Sequence, residues 1–109
     1  MPLSISLHHS VGSVAVLGTF PPRRCGIATF TSDLASAVRA VNPSVPVDIV
    51  AANDRPYDYS KEVAFQLEQD DPDSYLRAAA FLNHGKYDVL SVQHEYGIFG
   101  GIAGEHLLQ

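Results

Sequence analysis

Ser13-Val-Ala-Val-Leu-Gly-Thr-Phe-Pro-Pro-Arg-Arg-Cys-Gly26 decides the architecture: a short β-branched apolar run passes through a glycine, two prolines and two arginines into a helical pattern. Ser13 to Gly18 has the profile of a strand buried on both faces, apolar without alternation and stopped by glycine. Beyond Gly26, apolar residues recur at Ile27, Phe30, Leu34, Val38 and Val41, steps of three and four that draw one stripe along a helix. Asn42-Pro43 ends it, because a residue before proline is pushed out of the helical region.

Further along, Val47-Asp-Ile-Val-Ala-Ala52 reads as a second strand, and Val63, Phe65 and Leu67 alternate with polar residues as a half-exposed third would. Asp73 is the expected N-cap of a helix carrying Tyr75, Leu76, Ala79, Ala80 and Leu82, closed near His84-Gly85 by a C-terminal glycine. Tyr87 to Gln93 is a fourth strand, and Gly100 to Gln109 opens another helix. Residues 1–12 read as a mobile leader.

This order is the doubly wound pattern of a Rossmann-like α/β domain. Right-handed crossovers predict a mostly parallel sheet of order 3-2-1-4 with helices on both faces. Residues 13–109 would form part of one such domain, since domains commonly run to roughly 100–150 residues. In that order the sheet reverses its direction of growth between the first and fourth strands. Ligands bind beyond the carboxyl ends of the strands at such a point, here the loops Thr19 to Gly26 and His94 to Gly101.

Composition bounds the function. The chain is 46% hydrophobic and 17% charged, too apolar for a disordered segment and too interrupted for a membrane span. A net charge of -5 leaves no basic excess to track a nucleic-acid backbone, so no nucleic-acid partner is expected and an anion site would have to be local. The single cysteine, Cys25, excludes an internal disulfide and a multi-cysteine zinc site. Met1 to Ser10 lacks the pattern of a secretory signal, and a cytoplasmic location is the default expectation.

The first loop ends in Gly26 at the start of a helix, where unpaired N–H groups and the positive end of the dipole favour an anion, with Arg23 and Arg24 beside it. A turn with two solvated arginines would leave the same residues. The loop lacks both the dinucleotide Gly-x-Gly-x-x-Gly and the Walker Gly-Lys-Ser/Thr. Cys25 at a helix N-terminus next to two arginines is a setting that can activate a thiol, against the simpler reading of a small residue packed under the loop.

In the second loop, Gln93-His-Glu-Tyr-Gly-Ile-Phe-Gly-Gly101, a histidine and a carboxylate stand at a strand end, and Gly100 and Gly101 would let backbone approach a ligand. A satisfied structural histidine, with Glu95 capping the next helix, competes with a substrate-facing role. His94, Glu95, Glu105 and His106 are metal-ligand types, but the second histidine falls twelve residues after the first and not within one helical turn, so no metal is expected. Asp54, Arg55, Tyr57, Asp58 and Tyr59 make a polar aromatic linker on the same sheet edge, suited to a sugar or to plain solvent.

Leu17-Gly-Thr-Phe-Pro-Pro-Arg-Arg-Cys-Gly-Ile-Ala-Thr-Phe-Thr-Ser-Asp-Leu34 together with Val89-Leu-Ser-Val-Gln-His-Glu-Tyr-Gly-Ile-Phe-Gly-Gly101 resembles the N-terminal half of family-4 retaining glycosyltransferases of the GT-B fold. The resemblance implies that the first loop, through Gly26 and Ile27, faces the donor diphosphate and the acceptor. It also implies that His94, followed by Glu95, contacts the transferring sugar. Tyr96 replaces the proline of the commoner His-Glu-Pro form.

The activity implied by the resemblance is transfer of a sugar from a nucleotide-sugar donor to a carbohydrate or other hydroxyl acceptor, with retention and without a bound metal or cofactor. The family's second Rossmann domain, whose Arg, Lys and paired Glu hold the nucleotide, is not among these residues. The chain alone is therefore expected to bind donor weakly and to turn over nothing detectable. A sheet stopping after its fourth strand would also be marginally stable or self-associating. The alternative is a stand-alone phosphate-binding module that performs no chemistry.

Overall fold

The computed structural model describes residues 12–93. Within them run β1 (Val14–Gly18), α1 (Gly26–Val41), β2 (Val47–Asn53), β3 (Val63–Glu68), α2 (Pro72–Gly85) and β4 (Val89–Val92). The four strands form one parallel sheet in the order β3-β2-β1-β4, the order expected from right-handed crossovers. Residues 1–11 of the leader, and His94, Glu95, Gly100 and Gly101 of the second loop, lie outside the described residues.

The two central strands are apolar on both sides because both sides are covered. Val14, Val16, Val47, Ile49 and Ala51 pack with Ala35 and Val38 beneath α1, while Leu17, Val50 and Ala52 pack with Ala78, Phe81 and Leu82 beneath α2. Alternate residues of the same strand thus serve opposite helices. Each valine, leucine or isoleucine among them, taken fully out of water, contributes about 1.5–3 kcal/mol.

β3 departs from the simple alternation. The register pairs Ile49 with Val63 but Val50 with Phe65, so one extra residue, Ala64, is accommodated there. Val63 consequently packs on the α1 side, whereas Phe65 and Leu67 pack on the α2 side. Phe65 stacks on Phe81 at 5.1 Å between ring centroids, fastening β3 to α2.

The apolar stripe of α1 is corrected in the same way. Its buried residues are Ala28, Thr31 and Ala35, while Phe30 is 53% and Val41 73% exposed. The reason is proximity: a Cβ on Gly18 would stand 3.0 Å from Thr31 Oγ1, so the helix rides on small residues where it crosses β1. Arg39, in its last turn, donates from Nη2 to Val47 O at 2.8 Å and pairs with Glu62.

At α2 the N-cap is Asp71, not Asp73. The Asp71 carboxylate accepts from Asp73 N at 3.0 Å, and Pro72 fills the first helical position, where a missing N–H costs nothing. Ser74 and Ala78 form its buried line, and Leu76 is 67% exposed. The left-handed residue at the C-terminus is Lys86 (φ 51°), one beyond Gly85. Gly85 is small for a different reason, since a Cβ there would lie 2.5 Å from the Tyr87 ring. No helix among the described residues is long and apolar enough to cross a membrane.

Candidate functional site

The four strands being parallel, their carboxyl ends share one edge of the sheet. In the first loop, Thr19 and Phe20 are buried, the Pro21-Pro22 peptide is cis, and Arg23 N donates to Phe20 O at 3.1 Å, closing a tight turn. Cys25 then caps α1. Its Sγ accepts from Ala28 N at 3.4 Å and lies 3.0 Å from Thr19 Oγ1. The thiol is used to end the loop and start the helix.

Of the first N–H groups of α1, that of Ala28 goes to this thiol and that of Thr29 to Cys25 O at 3.3 Å. Those of Gly26 and Ile27 have no partner among the described residues, the usual condition of a helix start open to an anion. A Cβ on Gly26 would meet nothing within 4 Å. The Ile27 side chain packs against the apolar cluster that includes Leu17 and Val50, so anything Ile27 offers a ligand comes from its backbone.

The two arginines part company. Arg24 is exposed and makes no ion pair among the described residues. The Arg23 side chain is only 12% exposed, with Nη1 donating to Ala52 O at 3.0 Å and to Gln69 Oε1 at 2.8 Å, and Nε 3.8 Å from Asp54 Oδ1. It is neither solvated nor free-standing. Its partners lie 29 and 46 positions away, which no reading of the loop alone could supply.

At the second loop the described chain reaches Gln93. Gln93 N donates to Leu17 O at 2.8 Å, and its Cβ would stand 3.0 Å from a Cβ on Gly18. The residue immediately before His94 is therefore packed against the start of the first loop. His94, Glu95, Gly100 and Gly101 themselves lie outside the described residues, as do Glu105 and His106. Among the described residues no group of three or more His, Cys, Asp or Glu is placed to hold a metal ion.

The third loop is organised around Asn53, whose role no pattern in the sequence signals. Asn53 is 2% exposed; its amide donates to Gln66 Oε1 and Glu68 Oε2, both at 3.0 Å, and its oxygen accepts from Tyr59. Burial pushes the Tyr59 hydroxyl up to about 12. The Tyr57 hydroxyl donates to Asp54 at 2.7 Å, and this bond, aided by Arg23 and Arg55 against partial desolvation, holds the Asp54 carboxyl below its usual range. Arg55 lies over the Tyr57 ring, 5.5 Å from its centroid.

Comparison with protein-family models, with curated proteins and with solved structures returns no match to this chain.

Proposed function

We propose that this chain supplies the N-terminal, acceptor-side part of a retaining glycosyltransferase that moves a sugar from a nucleotide-sugar donor to a hydroxyl acceptor. The observation that carries the reading is the pair of N–H groups of Gly26 and Ile27, without a partner among the described residues, at the start of a sixteen-residue helix that follows β1, the strand flanked by β2 and β4. Gln93, packed against Gly18 at the end of β1, is followed in the sequence by His94-Glu95.

In the proposed reaction the bond between the anomeric carbon and the diphosphate breaks, the acceptor oxygen bonds to the same carbon, and the acceptor proton passes to the leaving diphosphate. Negative charge grows on that diphosphate. Fixed N–H donors stabilise it without reorganising, and loss of one such donor in other enzymes costs about 2.7–4 kcal/mol. Arg24 adds a cation beside them, and His94 is assigned to the transferring sugar. Arg23, being engaged with Ala52 and Gln69, weakens the alternative of an anion-binding module built on both arginines.

The test is a transfer assay on the protein expressed from its whole reading frame, with a panel of nucleotide sugars and simple glycosides as acceptors. His94→Ala is expected to lower kcat by at least about 100-fold with the fold retained. A folded His94→Ala protein that transfers as well as the parent would remove the assignment.

A further inference from the structure

We infer that Arg23 is a positioning residue: it locks the loop between β1 and α1 to the loops that follow β2 and β3, so that all three hold one arrangement. Its fork reaches Ala52 O at the end of β2, Gln69 Oε1 just after β3, and the vicinity of Asp54 Oδ1. Gln69 is itself fixed, its N–H donating to Asn53 O at 2.9 Å and its carbonyl accepting from Tyr75 at 2.7 Å. The partner is thus a rigid post. A planar, always-charged guanidinium suits it, because one group can satisfy several acceptors in fixed directions at little further entropic cost.

The consequence reaches the start of α1. Arg23 is two residues before the Cys25 cap, so the direction in which the loop delivers Gly26 is set by where Arg23 is held. A loop ordered before any ligand arrives keeps its N–H groups aimed without further ordering. This role concerns the loop itself and does not depend on which ligand the loop serves.

Cys25, the single thiol of the chain, reports on the loop directly. The experiment measures the rate at which a disulfide reagent labels Cys25 in the native 109-residue chain. Arg23→Ala is expected to speed labelling about tenfold, the size of one lost charge-assisted hydrogen bond, and Arg23→Lys to fall between. Arg39→Ala, which cuts a similar tie at the far end of α1, is expected to lower the melting temperature while leaving the labelling rate within about twofold. Gln69→Ala should speed labelling less than Arg23→Ala and add nothing when combined with it, because the two share a bond.

Equal acceleration by Arg39→Ala and Arg23→Ala would show that labelling follows global unfolding, and would overturn the inference. Additive effects of Arg23→Ala and Gln69→Ala would overturn it too. These outcomes are read from thiol rates and not from sugar transfer, so failure here and failure of the transferase reading are seen separately.

Discussion

Gly18 and Gln93 approach so closely that a Cβ on the glycine would stand 3.0 Å from the Gln93 Cβ, with Thr31 Oγ1 at the same distance on another side. The end of β1, the first turn-and-a-half of α1 and the residue after β4 therefore share one tight junction. A methyl group placed there would crowd the Gln93 Cβ and the Thr31 hydroxyl, which would have to give way. Gly18→Ala is expected to destabilise the chain by about 1–3 kcal/mol, the usual result of overpacking a dense interior. Chemical denaturation checks it, and an unchanged midpoint would mean that the junction yields freely.

Asn53 makes the second prediction. It is buried with both its donor and its acceptor in use, by Gln66, Glu68 and Tyr59. Asn53→Ala strands the Tyr59 hydroxyl and should cost about 1–3 kcal/mol. Asn53→Asp, nearly the same shape, should cost at least as much, since it replaces two donated bonds by a carboxylate facing Glu68. Denaturation midpoints at neutral pH rank the two variants; an Asp variant as stable as the parent would contradict this account of the network.

These two sites show where the sequence was legible and where it was not. β1 and β2 declared themselves because a strand covered on both faces must be apolar without alternation, and with four strands and the helices between them placed the sheet order followed from handedness. The contact face of α1 was hidden, because the tight crossing at Gly18 selects Ala28, Thr31 and Ala35 over the larger Phe30 and Val41. Val63, Phe65 and Leu67 looked coplanar until the irregularity at Ala64 divided them. At the candidate site the helix start at Gly26 was readable from its own loop. Arg23 was not, since its use is fixed by acceptors that only the folded sheet brings near.

Alkaline pH should weaken the fold through two tyrosines. The hydroxyl of Tyr59 is pushed up to about 12 by burial, and that of Tyr87 likewise by burial and by its 2.6 Å bond to Asp48. The fold holds these protons more tightly than the unfolded chain does. Their stabilisation is full below the ordinary value of 10.0 and drains away as pH rises from there towards about 12. Denaturation midpoints should decline over that interval, and Tyr87→Phe should flatten the decline. A parent whose midpoints stay level through the interval would contradict both shifts.

β4 carries the last prediction. Its register sets Leu90 beside Ala15 and Val92 beside Leu17, on the side of the sheet that α2 occupies, and Val89 beside Val14 on the side of α1. α2 packs chiefly on β3, and α1 on β1 and β2. Val89, Leu90 and Val92 remain 42%, 47% and 40% exposed, apolar side chains beside a strand that has β1 as its one partner among the described strands. Such an edge invites pairing and apolar contact with another copy. The 109-residue chain is accordingly expected to sediment with a mass that rises with concentration, and Leu90→Lys combined with Val92→Lys to suppress the rise by placing charge on the face that would be buried. Were the unaltered chain to sediment as a monomer at every concentration, these side chains would not be driving association, and the exposure of β4 would carry no energetic consequence between copies.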